Sequence, residues 1–188
     1  MKPSIKYSGC SLIYAAILLL ILPLNWLAAA MAAAAFHEIC HYTAIRYTGN
    51  NAYEIILSCG SIRMKTTALS LGEELFCALA GPIGSLILFF CYPWIPKTAL
   101  CAGIQGIFNL LPIYPLDGGR VFHALVHICF PEGADAICRW TEYVLLLGIL
   151  LLAAYISLYY KLGAVPVILA SMFLFRGGME KFLANRGN

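Results

Sequence analysis

The sequence predicts an all-α polytopic membrane protein, and three observations carry that prediction. Hydrophobic residues make up 62% of the 188-residue chain and charged residues only 11%, whereas a soluble domain carries roughly a quarter charged residues. The mean hydropathy is +0.84. Long apolar runs are separated by short polar breaks, as in proteins with several transmembrane helices. We therefore expect one membrane domain over residues 1–188, without a separate soluble domain.

Six apolar segments are predicted to be transmembrane helices. The first is interpreted as a retained helix rather than a cleaved secretory signal, because the apolar character continues through Phe36. Gly49 follows the second segment, as glycine often follows the end of a helix. The fourth segment starts near Lys97 and is interrupted by two prolines. The other five segments are Tyr7–Leu22, Trp26–Tyr47, Glu73–Tyr92, Ala136–Leu158 and Ala164–Phe175.

The positive charges predict an orientation in the membrane. With a cytoplasmic N-terminus, only Lys97 and Lys161 of the twelve Lys and Arg residues lie outside, which agrees with the positive-inside rule. Both termini are then cytoplasmic. The net charge of +3 does not indicate a nucleic-acid partner. The ten residues on the cytoplasmic side are Lys2, Lys6, Arg46, Arg63, Lys65, Arg120, Arg139, Arg176, Lys181 and Arg186.

A polar stretch between the second and third segments contains the sequence EIILSCGSIRMK. Its apolar and polar residues alternate near the end, and Gly60 offers a turn residue between the two halves. This pattern predicts a short cytoplasmic β-hairpin or a re-entrant strand pair. An irregular cytoplasmic loop is the alternative.

The second segment carries the motif His37-Glu38-Ile39-Cys40-His41, which is an H-E-x-x-H pattern. Residues four apart lie on one face of a helix, so both imidazoles can bind one metal ion. Zinc accepts nitrogen and oxygen ligands, and Glu38 beside the first ligand is placed to act as a general base. Burying three ionisable groups in a membrane helix is costly and therefore indicates function.

A catalytic zinc ion with two histidines needs a third protein ligand, usually an acidic one. Asp117 is favoured because it follows the break in the fourth segment, at Pro112 and Pro115, and broken helices in membranes line protein-filled or water-filled sites. Counting about 1.5 Å of helix per residue from the predicted membrane boundaries places His37 and this break in the cytoplasmic half of the bilayer. The other acidic candidates are Glu54, Glu73, Glu74, Asp135 and Glu142.

A second histidine pair, His123 and His127, also has i, i+4 spacing but no embedded acid. We interpret it as interfacial or structural, with an accessory metal site as the alternative.

The combination of H-E-x-x-H, then AGPIGSL, then NLLPIYPLDGG resembles the site-2 protease family of intramembrane zinc metalloproteases. Within the family, the compact six-helix bacterial type that processes pro-sigma factors during sporulation is most similar. The resemblance implies His37, His41 and Asp117 as ligands of one Zn²⁺ and Glu38 as the catalytic base. It also implies a substrate contact for Asn109, and Ser85 stands where the family commonly has asparagine.

The expected activity is therefore hydrolysis of peptide bonds in membrane-embedded or membrane-associated proteins, in a bacterial cytoplasmic membrane. Two alternatives are a membrane metal-ion transporter and a catalytically inactive homologue that binds substrate segments. The alanine-rich stretch from Ala28 to Ala35 permits close helix packing, either within the monomer or in a homo-oligomer.

Overall fold

The computed structural model describes residues 4–7, 23–58, 61–114 and 116–161. Five α-helices and three β-strands lie in this part of the chain. The chain divides into two compact units, residues 1–111 and residues 112–188. The predicted sixth span lies outside the described residues, as does the predicted first span beyond Tyr7.

Three helices lie in the described residues of the first unit. Helix α1 is Leu24–Tyr47, α2 is Leu71–Phe89 and α3 is Pro96–Asn109. Helix α1 contacts both α2 and α3, which also contact each other. The helices approach closely because the core positions carry small side chains with no exposed surface, as glycine and alanine allow in membrane bundles. These are Ala33, Ala78, Ala99 and Ala102.

Local sequence explains where these helices begin and end. Helix α1 ends at Tyr47, two residues before Gly49, whose φ is +79°. At the start of α2 the Ser70 hydroxyl accepts from the Glu73 backbone N–H, and the Glu73 carboxylate accepts from the Ser70 N–H. This capping box satisfies two backbone donors that the first helical turn leaves unpaired. Pro96 starts α3, where its missing N–H costs nothing.

A three-stranded sheet completes the first unit. Strand β1 is Ser4–Tyr7, β2 is Ala52–Ser58 and β3 is Ser61–Thr66. Strands β2 and β3 pair antiparallel on either side of residues 59–60, which lie outside the described residues. Strand β1 pairs parallel with the other edge of β2. The sequence prediction contained no strand near the N-terminus, because the pairing partner of Ser4–Tyr7 lies fifty residues further along the chain.

The described part of the second unit, up to residue 161, contains two consecutive helices, α4 over Asp117–Cys129 and α5 over Ala134–Tyr159. The connection is short, and Gly133 adopts a left-handed conformation with φ of +92° immediately before α5. Glycine takes this conformation without steric cost. The long helix α5 therefore starts only a few residues after α4 ends.

Within the described residues, α2 and α5 are long and apolar enough to cross a membrane. Most of α5 is exposed in the structure, including the large apolar side chains Leu147, Leu151 and Leu158. Lipid is the environment that suits such a surface. The structure thus agrees with a membrane protein in kind, and the number of six spans stays a prediction.

Candidate metal centre

The two histidines of the H-E-x-x-H motif lie one turn apart on α1 and face the interior of the first unit. Their exposed fractions are 2% for His37 and 8% for His41. The two Nε2 atoms lie 3.1 Å apart, and the ring centroids are 4.7 Å apart with nearly perpendicular planes. The helix therefore brings two ring nitrogens to one point, as the spacing predicted.

The other ring nitrogen of each histidine binds helix α2. The Nδ1 atom of His41 donates to the backbone carbonyl of Cys77 at 2.7 Å. Since a carbonyl oxygen only accepts, this bond puts the proton of neutral His41 on Nδ1 and leaves a lone pair on Nε2. The Nδ1 atom of His37 lies 2.9 Å from the Ser85 hydroxyl, a buried contact. Bonds of this kind orient the rings of metal-ligating histidines in known metal sites.

This geometry fits a zinc ion between the two imidazoles. Tetrahedral zinc with Zn–N bonds of 2.0–2.1 Å separates two ligand nitrogens by about 3.3 Å, close to the 3.1 Å observed. When no ion is bound, the Nε2–H of His37 can donate to the Nε2 atom of His41. The Ser85 hydroxyl then donates to the Nδ1 atom of His37. A hydroxyl both donates and accepts, so Ser85 can also accept from His37 when both Nε2 lone pairs face a metal.

Two glycines make room for this arrangement. A Cβ atom at Gly81 on α2 would overlap the His41 imidazole, and a Cβ atom at Gly106 on α3 would lie 3.1 Å from the Ser85 Cβ atom. Gly81 thus allows α2 to lie directly against the ring of His41. Gly106 allows α3 to pack against the residue that hydrogen-bonds His37.

Asn109, the last residue of α3, lies at the edge of the histidine pair. Its Nδ2 atom is 3.4 Å from the Nε2 atom of His37, and the side chain is half-buried. Glu38 follows His37 on α1 and is also half-buried. The first unit therefore gathers His37, His41 and Asn109, with Glu38 on the same helical turn as His37.

Asp117 belongs to the second unit, where it is the first residue of α4 and half-buried. The backbone at Leu116 is extended, and its N–H donates to the Ile113 carbonyl at 2.9 Å. A Cβ atom at Gly119 would overlap the backbone of Ile113 and Tyr114. Glycine at this position thus lets the preceding chain fold back against the first turn of α4, which is the turn that carries Asp117.

Sequence reasoning identified the histidines but missed what orients them. The Cys77 carbonyl is a backbone group on another helix, so no side-chain motif marks it. The signal for Ser85 was present, since it ends the Gly-x-x-x-Ser element that begins at Gly81. The polar side chain at this position hydrogen-bonds the Nδ1 atom of His37.

We expect Ser85→Ala to lower zinc affinity by about 10–100-fold, the usual effect of removing a hydrogen bond that orients a metal ligand. Equilibrium dialysis against zinc buffers, followed by elemental analysis, measures this change. Ser70→Ala makes the same substitution at the cap of the same helix and should leave zinc affinity unchanged. Equal losses in both variants would show that helix stability, rather than the His37 contact, sets the affinity.

Comparisons with known proteins agree with this fold. The structure matches a solved site-2 protease from Methanocaldococcus jannaschii with a TM-score of 0.67 and 16% sequence identity, covering 94% of this chain and 89% of that one. The chain therefore has the fold of a site-2 protease. No protein-family model matches the sequence.

A curated relative gives a second comparison. The chain is 31% identical over 105 residues to a zinc metalloprotease of the same archaeon, Methanocaldococcus jannaschii. The matched region covers 48% of this chain but only 31% of the relative. The match thus spans about a third of that protein's length.

Proposed function

We propose that the chain is an intramembrane zinc metalloprotease that hydrolyses peptide bonds in membrane-embedded or membrane-associated proteins. The observation that carries the proposal is the convergence of two buried ring nitrogens, 3.1 Å apart, each with its opposite nitrogen hydrogen-bonded to α2. The fold of a site-2 protease and the similarity to a zinc metalloprotease support the same function.

In this proposal His37 and His41 would hold one Zn²⁺ through their Nε2 atoms, and Asp117 would supply the third ligand through a carboxylate oxygen. Two imidazoles and one carboxylate are a donor set that catalytic zinc uses. When bound, zinc polarises a peptide carbonyl and lowers the pKa of a coordinated water to about 7. The aspartate contributes a negative charge that the two neutral histidines lack.

Glu38 is the general base. Its carboxylate accepts a proton from the water that attacks the carbonyl carbon of the scissile peptide bond. It then donates that proton to the leaving amide nitrogen, so that one residue acts first as base and then as acid. Glu38 directly follows His37 on α1 and is half-buried, so water can reach its side chain.

Asn109 is proposed to contact the substrate. Its Nδ2 atom lies 3.4 Å from the Nε2 atom of His37, so an amide donor is present next to the proposed zinc position. A donor at that place can bind a substrate carbonyl oxygen and stabilise the negative charge that develops on it.

The topology that goes with this function has six spans, both termini in the cytoplasm and the active site in the cytoplasmic half of a bacterial membrane. The positive-charge bias of the sequence supports this orientation. Strands β2 and β3 offer backbone to which an extended substrate segment can pair as an added strand. A homo-oligomer is compatible with the small side chains of α1.

The aspartate ligand is tested with Asp117→Asn, which keeps the side-chain shape and removes its charge. We expect cleavage of a membrane-embedded model substrate to fall at least about 100-fold, because the zinc loses an anionic ligand. Tightly held zinc should fall in parallel. Glu142→Gln removes a carboxylate from α5 in the same unit and is the matched control. If Asp117→Asn has the zinc content and cleavage rate of the wild type, Asp117 is not a zinc ligand.

A further inference from the structure

A second group of metal-binding side chains lies entirely within the second unit. His123 and His127 occupy one face of α4 near its C-terminus, and Asp135 lies in the first turn of α5. The donor atoms of all three side chains lie within 4.8 Å of one another. The sequence prediction favoured an interfacial or structural role for this histidine pair, because no acidic residue accompanies it on the helix. The acidic residue comes instead from the next helix.

A hydrogen bond determines the tautomer of His127 in its neutral form. Its Nδ1 atom donates to the His123 backbone carbonyl at 3.0 Å. In the neutral ring, Nε2 therefore carries a lone pair, and this atom faces Oδ1 of Asp135 at 3.5 Å. Two acceptors that face each other repel unless a proton or a metal cation lies between them.

The position of His123 distinguishes these two explanations. Its ring centroid lies 4.0 Å from that of His127, with 32° between the ring planes. A proton shared by His127 and Asp135 would not explain why the His123 imidazole lies beside them. A metal ion would use both imidazoles and the carboxylate together, as histidines four apart on a helix do in zinc sites.

We propose that His123, His127 and Asp135 form a second divalent-metal site that binds zinc. Two imidazoles and one carboxylate favour Zn²⁺ and neighbouring transition-metal ions over Mg²⁺ or Ca²⁺, which prefer oxygen ligands. His123 and Asp135 are exposed and His127 is half-buried, so solvent ions can reach the donors. The donor atoms lie further apart than the ligands of a tetrahedral zinc ion. Because the side chains are largely exposed, they can rotate to bring the donor atoms to the metal.

The ion would join the end of α4 to the beginning of α5. The connection between these helices contains Gly133, which has a left-handed conformation. Glycine gives the connection more conformational freedom than any other residue would. A metal ion bound on both sides of it would restrict that freedom. The helix held in this way is the one whose first residue is Asp117.

The test is the number of zinc ions bound by the full-length protein in detergent or in lipid nanodiscs. Equilibrium dialysis against saturating free Zn²⁺, followed by elemental analysis, should give two ions per wild-type chain. His123→Gln, His127→Gln and Asp135→Asn should each bind one, and each should still cleave a model substrate. Glu132→Gln, which removes an exposed carboxylate from the connection between α4 and α5, should still bind two. An excess of Mg²⁺ should displace neither ion.

The double variant His37→Gln, His41→Gln separates this proposal from the proposed catalytic centre. It should keep one ion, and further substitution of His123 should remove that ion. If His37 and His41 held no zinc, the wild type would bind one ion and His123→Gln none, so failure of the proposed catalytic centre is distinguishable from failure of the second site. If His123→Gln binds as many ions as the wild type, the second site does not exist and His127 pairs with Asp135 through a proton alone.

Discussion

Glu38→Gln is expected to abolish measurable peptide cleavage while zinc binding stays at the wild-type level. The amide has nearly the shape of the carboxylate but cannot accept a proton, so the attacking water is no longer activated. General-base catalysis contributes about 10²–10⁴-fold to a rate, and this loss should appear in kcat. The measurement is cleavage of a membrane-embedded model substrate by the purified protein in nanodiscs, with zinc content determined on the same sample.

The matched control for this variant is Glu74→Gln, which removes a carboxylate from the first turn of α2. Its cleavage rate should stay within about twofold of the wild type, because a charge at a helix N-terminus contributes about 0.3–1 kcal/mol to stability and none to the reaction. Full cleavage by Glu38→Gln would show that another group acts as the base. Zinc transport without cleavage in the wild type would favour the transporter alternative.

Gly81→Ala is expected to weaken zinc binding at His37 and His41 and to reduce activity, even though alanine is the better helix former. The added methyl group would overlap the His41 imidazole, so the ring must rotate away from the Cys77 carbonyl or α2 must move away from α1. Rotation of the ring separates the two Nε2 atoms, and movement of α2 breaks the hydrogen bonds that orient both rings. A misplacement of about 1 Å can cost 10²-fold in rate. Zinc affinity and cleavage should both fall by about that factor or more.

Gly72→Ala provides the control on the same helix. No atom lies within 4 Å of a Cβ atom at Gly72, so the methyl group has open space. Replacing glycine by alanine in a helix is favourable by about 0.5–1 kcal/mol, and this variant should have unchanged zinc affinity and equal or higher stability. Wild-type zinc affinity in Gly81→Ala would show that α2 does not constrain His41.

The helices that carry the histidines could be predicted because their signals are local. The second apolar segment was expected over Trp26–Tyr47 and is observed as α1 over Leu24–Tyr47. The convergence of His37 and His41 follows from helix geometry alone, since four residues make about one turn. The prolines after Asn109 likewise predicted the end of α3 and a new start near Asp117.

The remaining features depend on contacts between distant parts of the chain. The carbonyl of Cys77, the hydroxyl of Ser85 and the missing side chain of Gly81 matter because α2 packs against α1, and no short motif records that packing. Strand β1 was missed for the same reason, as its partner β2 lies far along the sequence. The number of spans, the orientation in the membrane and the oligomeric state stay predictions.

Anomalous diffraction at the zinc absorption edge, on crystals of the zinc-loaded protein, tests the central claim most directly. We predict a strong peak about 2.0–2.1 Å from the Nε2 atoms of both His37 and His41 and at a similar distance from a carboxylate oxygen of Asp117. A map without density between these two imidazoles, or with a ligand other than Asp117 completing the site, would contradict the account.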